Sequence, residues 1–296
     1  MELRVLNYFL AIAREENITK AAQILHVTQP TLSRQIAQLE EELGVKLFQR
    51  SNHHIILTED GMILKRRAQE MMSLAEKTRM DLSHSEQALT GQIAIGSGEF
   101  QSTEFLSSLI NAFNRKHPLV RFSIYSGNAA NIRDRIERGL LDIGLMSEPI
   151  DIGKYEFITT EYKEKWGVLV KNDSDLIGKK SVTPEDLRNR PLIISSGESV
   201  KLMLSKWFET SIENLNIVAD GNLLYNLAML VSKGIGTVIC IRLNCTYKDC
   251  TFIPLSPAVE AGSVLGWKKD QSFSRATSAF LNFAKTYSKS ISGDSI

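Results

Sequence analysis

Apolar residues return at helical spacing through most of the first ninety positions and at strand spacing in much of the rest. Leu3, Leu6, Leu10 and Ala13 share one face of a helix over residues 1–15. A second short helix, carrying the Ala21-Ala22 pair, ends at Leu25. After a tight connection, His26-Val27-Thr28, the residues Leu32, Ile36, Leu39 and Leu43 recur at steps of four, three and four. That spacing predicts a longer helix with those four on its buried face. Asn17 and Thr28 are suited to cap the second and third helices. Pro30 falls in a first turn, where a missing N–H costs little, and Gly44 stands where a helix-ending glycine belongs. The polar turn Gln29-Pro30-Thr31-Leu32-Ser33-Arg34 leaves most of its side chains free of the core. Two short packed helices, the second with a hydrogen-bonding N-terminal face, predict a helix-turn-helix able to enter a DNA major groove.

The pattern then shortens. Val45-Lys46-Leu47-Phe48 predicts a strand, residues 50–54 a polar turn, and Ile55-Ile56-Leu57 a returning strand. Such a wing commonly lies along the phosphate backbone, and Arg50, His53 and His54 suit that contact. Thr58 can cap a long helix predicted to reach about Leu89, with Glu59 and Asp60 favouring the positive end of its dipole. Leu64, Ala68, Met71, Ala75, Thr78, Leu82, Ser85 and Leu89 follow the four-three spacing of a coiled-coil seam. A helix packed on its own domain would show the same spacing.

From Gly91 onward, strands and helices alternate. The first strands are Gln92–Gly96, Leu119–Tyr125 and Leu141–Leu145, with helices at Ser102–Lys116 and Asn128–Gly139 between them. Further strands follow at Trp166–Val170, Leu192–Ile194, Ile217–Val218, Gly234–Cys240 and Val264–Trp267. Helices are predicted at Thr183–Leu187, Val200–Glu209, Asn222–Lys233 and Phe273–Tyr287, before a frayed tail from Ser290. This βαβ spacing predicts a mostly parallel sheet covered on both faces, in two similar α/β units.

Composition adds exclusions. A chain of 296 residues can hold two or three compact units. No apolar run is long enough to span a bilayer, and the first helix carries charges unlike a signal peptide, so a cytoplasmic protein is expected. Net charge is +1, and the first ninety residues hold eleven Lys/Arg against twelve Asp/Glu, so a DNA-binding segment must sort its charge in space. Cys240, Cys245 and Cys250 lack CxxC spacing and a nearby His, which argues against zinc. Reduced thiols are the plain reading, and a redox-sensing regulator built on them the lesser alternative. No GxSxG, HExxH, Walker or complete GxGxxG motif is present, so neither an enzyme nor a cofactor is expected.

The segment Thr19–Arg50 resembles LysR-type transcriptional regulators. The matching residues are Ala21-Ala22, Leu25, Gln29-Pro30-Thr31-Leu32-Ser33, Leu39-Glu40-Glu41-Glu42-Leu43-Gly44 and Leu47-Phe48-Gln49-Arg50. Leu57-Thr58 and Gly61 continue the pattern, although Asp60 stands where the family has a small residue. Looser similarity runs on through Gly91, His117-Pro118, Gly139-Leu140-Leu141-Asp142 and Gly234-Ile235-Gly236. The resemblance implies an all-α winged helix-turn-helix at 1–57 and a linker and dimerisation helix at 58–90. It further implies a two-lobed α/β effector domain at 91–296, similar to periplasmic binding proteins, with lobe I at about 91–162 plus 268–296 and lobe II at about 163–267. It implies a homodimer or homotetramer on interrupted inverted repeats, with RNA polymerase a possible further partner. The implied groove-facing residues are Gln29, Pro30, Thr31, Ser33 and Arg34, with Thr28 at the helix start and Arg50 and His53 toward the backbone. Gln suits adenine and Arg suits guanine by bidentate hydrogen bonds.

In open α/β sheets, ligands gather beyond the carboxyl ends of strands. Those places here offer Ser97, Ser102, Thr103, Ser126, Asn128, Ser195, Ser196 and Ser199. They suit a small polar or carboxylate effector, although each could equally be a plain helix cap. Glu99, Glu198 and Asp220 lie near and would oppose a strongly anionic ligand, with Lys201 available to offset them. A solute-binding sensor without a DNA role is the rival reading of the second half of the chain.

Overall fold

The computed structural model describes residues 1–51, 54–82, 88–147 and 153–291. The chain divides into two compact units, 1–83 and 84–296. The first contains α1 (Leu3–Glu15), α2 (Ile18–Ile24), α3 (Gln29–Leu43), the hairpin β1 (Phe48–Ser51) and β2 (His54–Leu57), and α4 (Glu59–Leu82). Local chemistry sets the boundaries. Asn17 Oδ1 accepts from Lys20 N at 2.9 Å, and Thr28 Oγ1 accepts from Thr31 N. His26 takes a left-handed φ of 55° in the α2–α3 turn, and Gly44 ends α3 at φ 70°. Leu6, Phe9, Ile12, Ala21, Leu32, Leu39 and Leu47 close the core. Leu43 does not join it. It is 38% exposed, because it is the last residue of α3 and the chain turns away at Gly44.

The first wing strand starts at Phe48, not at the expected Val45. Glu40 is the cause. Its carboxylate is buried and accepts from Leu47 N at 2.9 Å and Phe48 N at 3.3 Å while pairing with Lys46 at 2.7 Å. Thr58 binds the other side of the same segment, donating Oγ1 to Lys46 O and N–H to Leu47 O. Residues 46–47 are therefore held by the Glu40 and Thr58 side chains and one Thr58 backbone bond instead of a partner strand. A Cβ at Gly61 would lie 2.1 Å from Leu47 O, so this approach of α4 requires glycine. Asp60 is exposed and leaves the helix entry unaffected.

The described helix α4 runs to Leu82, and residues 83–87, including Ser85 of the expected seam, lie outside the described residues. Residues 88–90 are not helical, and Leu89 packs on the core of the second unit. Ala68 is fully buried, and Leu64 and Met71 pack with it on the first unit's own core. That half of the expected seam is thus internal packing, which shares the four-three spacing.

The second unit is one nine-stranded sheet with flanking helices. It opens with β3 (Gly91–Ser97), α5 (Thr103–Lys116), β4 (Val120–Ser126), α6 (Ala129–Glu137) and β5 (Ile143–Ser147). The long strand β6 (Tyr155–Lys171) leads to α7 (Pro184–Leu187), β7 (Leu192–Ser195), α8 (Glu198–Trp207), β8 (Ile217–Gly221) and α9 (Leu224–Ser232). Then come β9 (Thr237–Ile241), β10 (Cys250–Pro254), β11 (Glu260–Lys268) and α10 (Arg275–Ile291). The order is β4-β3-β5-β11-β6-β9-β7-β8, with β10 paired to β6. Each end is a parallel trio, β4-β3-β5 and β8-β7-β9. The joins through β11 and β6 are antiparallel, so the sheet is mixed instead of mostly parallel. One core gathers Ile93, Leu109, Phe113 and Phe280, and another gathers Val168, Leu192, Phe208 and Ile239. These are two lobes joined by the crossing strands. α10 continues through Ile291, past the expected end at Tyr287. No helix among the described residues is long and apolar enough to cross a membrane.

Burial opposes ionisation of Glu40, but the Lys46 ammonium and the Leu47 and Phe48 N–H groups outweigh it and hold its carboxyl below the ordinary range. A depressed folded pKa stabilises above the unfolded value and is lost as pH falls through the folded one. Glu40→Ala is expected to cost on the order of 2 kcal/mol in the first unit, because two backbone donors lose their acceptor. Hydrogen exchange at the Leu47 and Phe48 amides of the full chain reads this. Wild type should converge on the variant as pH drops below the carboxylate range, and unchanged protection at neutral pH would refute the assignment.

Candidate nucleic-acid interface and ligand cleft

The first turn of α3 stands clear of the core. Thr28, Gln29, Pro30, Thr31 and Arg34 are exposed and Ser33 is half-buried. The turn is also ordered by its own contacts. Thr28 and Thr31 hydroxyls meet at 2.8 Å, and Gln29 Nε2 donates to Ser33 Oγ at 2.9 Å. Gln29 thus presents a fixed amide whose oxygen is available to a base edge. Arg34 forms no ion pair among the described residues, so its guanidinium is available for an anion or a base. On the wing, Arg50 sits in β1 opposite Ile55. The side chains of residues 50–54 and the whole of His53 lie outside the described residues.

The second unit holds a cavity of about 130 Å³ between its lobes. For scale, a cavity of ~150 Å³ accepts one benzene. Its walls come from the carboxyl ends of strands and the helix starts that follow them. Gly98, Glu99, Phe100, Asn128 and Ser147 contribute from one lobe. Trp166, Ser195, Gly197, Ser199, Asn222, Leu224 and Cys240 contribute from β6 and the other lobe. The structure brings Asn128, Ser195 and Ser199 of the sequence-predicted set together there, and keeps five apart. Ser97 is buried and donates to Gly98 O at 2.7 Å. Ser102 is fully buried, its N–H on Glu164. Thr103 opens α5 away from the lining, Ser126 is exposed beside Ser97 at the end of β4, and Ser196 is drawn to Gly221 O by its N–H. Ser147 and Asn222 were findable by the same strand-end rule. Phe100 and Trp166 carried no signal, since an aromatic in a strand or loop reads as core.

The lobes are clasped across this cavity. Glu99 Oε2 accepts from Leu224 N at the start of α9. Gln101 Nε2 donates to Asn244 Oδ1, and Asn244 Nδ2 donates to Glu104, both at 3.3 Å. Lys201, expected to offset the acids, is engaged by Glu198 at 3.0 Å on α8 and does not line the cavity.

Residues 3–62 match the family profile described as bacterial regulatory helix-turn-helix protein, lysR family, and residues 86–289 match the LysR substrate binding domain. The chain belongs to the LysR family. It is a DNA-binding transcriptional regulator with a helix-turn-helix unit and a two-lobed ligand-binding unit. The transcriptional regulator AlsR of Bacillus subtilis (strain 168) is 30% identical over 287 residues, covering 91% of each chain. Among solved structures, the LysR family regulator CbnR superposes with a TM-score of 0.73 at 19% identity, over 98% of this chain and all of that one. CbnR in complex with its target DNA gives 0.70 at 20% identity, over 97% and 99% of the two chains. The regulatory helix-turn-helix match favours a regulator over a solute-binding sensor.

Two of the three thiols in this LysR-family chain sit where burial disfavours the thiolate. Burial pushes the Cys240 thiol far above its ordinary range, and burial with the nearby Asp249 charge also raises Cys250. Both favour the unreactive protonated form. Cys245 is exposed. Iodoacetamide labelling of the native protein is therefore expected at Cys245, with Cys240 modified only on unfolding. Rapid native labelling of Cys240 would revive the redox alternative.

Proposed function

We propose that this regulator reads DNA through Thr28, Gln29, Pro30, Thr31, Ser33 and Arg34, with Arg50 and His53 against the phosphate backbone. The division of labour is 1–57 for DNA, 58–90 for linkage and dimerisation, and 91–296 for the effector. Lobe I takes about 91–162 and 268–296, and lobe II about 163–267. The chain acts in the cytoplasm, without catalysis, as a homodimer or homotetramer on an interrupted inverted repeat, and its output passes to RNA polymerase. The effector is a small polar or carboxylate molecule seated between the lobes. Its binding shifts their angle and so the spacing of paired reading helices.

The observation that carries this reading is the Gln29–Ser33 hydrogen bond on the exposed turn of α3. A side chain fixed before binding loses less entropy when it meets a base. Support for the second half is the cavity at the strand ends, a mainly apolar wall set with a few polar groups, its size suited to a molecule of one ring or a short chain.

Gln29→Ala is expected to weaken binding to the protein's own upstream operator by roughly 1–3 kcal/mol. Affinity for random DNA and the salt slope should stay as they were, because phosphate contacts are untouched. Fluorescence anisotropy across a salt series measures both. An equal loss on random DNA would reassign Gln29 to the backbone, and equal wild-type affinity for operator and random DNA would end the reading.

A further inference from the structure

The cavity has an unusual charge inventory. Glu99 is its one charged lining side chain, and no Lys, Arg or His lines it among the described residues. Glu99 Oε2 is engaged by Leu224 N, while Oε1 has no partner among the described residues. Lys201 is held away by Glu198. The half-buried Glu99 therefore offers a carboxylate oxygen to a partly open cleft that holds no counterion among the described residues. Around it stand two aromatic rings, Phe100 and Trp166, and the hydroxyls of Ser147, Ser195 and Ser199. Carboxylate oxygen, hydroxyl oxygens and ring faces all attract a positive group. A ligand carboxylate placed there would meet Glu99 in a setting that screens poorly.

We propose that Glu99 selects the effector: the cleft takes a small molecule bearing a protonated amine, its ammonium on Glu99 Oε1 and its body against Phe100 and Trp166. This rests on the cleft being the effector site and narrows the small polar class to amines. Because Glu99 already reaches from one lobe to the first turn of α9 in the other, an ammonium bound there joins a clasp that spans both lobes. The same chemistry is offered by a simple amine and by an amino acid. In an amino acid the carboxylate would lie toward the free N–H groups at the start of α8, where Gly197 and Ser199 line the wall.

The test uses the full chain with four probes of one-ring size: benzylamine, phenylglycine, benzyl alcohol and benzoate. Affinity is read by calorimetry and stabilisation by thermal shift. Wild type is expected to bind one or both amine-bearing probes more tightly than benzyl alcohol and benzoate. Phenylglycine above benzylamine points to amino acids, the reverse to simple amines, and either supports the ammonium. Glu99→Gln keeps an oxygen for Leu224 N but drops the charge, and should weaken the amine about thirtyfold or more. Circular dichroism confirms that the variant is folded. Gly197→Leu plugs the cleft at a backbone φ of −73°, where an added Cβ meets only Val200 at 3.8 Å and Ser195 at 4.0 Å, and should abolish binding of every probe. Benzoate or benzyl alcohol binding wild type as well as the amines do would overturn the proposal. So would an amine affinity unchanged in Glu99→Gln, or no binding by any probe. Probe binding that survives Gly197→Leu would instead overturn the cleft as the effector site.

Discussion

The larger unit depends on two antiparallel strands that belong to both lobes. β6 pairs with β11 through its first half and with β9 and β10 through its second, so one continuous strand is an inner strand of both half-sheets. β11 returns alongside it to β5. Where they cross, the fully buried Glu164 accepts from Gln101 N at 2.8 Å and Ser102 N at 3.0 Å. This carboxylate, set on a crossing strand, positions the loop that carries Glu99 and Phe100 to the cavity. The cavity's location follows from that arrangement. Strand ends from both trios converge beside the crossing, and the backbone N–H groups of Gln101 and Ser102 are already taken by the protein's own acid.

That also explains which parts of the site the sequence disclosed. The strand-end rule located loops that line the cavity, because βαβ order alone dictates where carboxyl ends fall. It could not say which hydroxyl in each loop turns inward. Ser195 and Ser199 line the wall while Ser196, between them, is pulled to Gly221 O. Such choices depend on partners far along the chain. The first half of β6 was hidden for a related reason. Residues 155–165, YEFITTEYKEK, are rich in charge and carry no clear strand pattern, yet Ile158, Thr160 and Glu164 alternate inward, with Tyr155 buried on the opposite face. A buried acid breaks the apolar alternation on which strand recognition relies. Local signals fared better in the first unit, where Asn17, Thr28, Pro30 and Gly44 mark helix ends through contacts of three or four residues.

The near-neutral charge of the DNA-reading unit has a resolution in pairing. Its acids are largely engaged by neighbouring bases that do not lie on the α3 turn. Lys20 and Arg14 hold the Glu15 carboxyl below its ordinary range, Lys46 and two backbone donors fix Glu40, and Arg67 and Arg79 pair along α4 with Glu70 and Glu76. Arg34 has no such partner among the described residues. A net count weighs every charge equally, whereas DNA meets only the face presented to it. The unit therefore does not need a positive total. What matters is a cation on an exposed turn that no carboxylate of its own has claimed, and among the described residues Arg34 on the α3 turn meets that condition.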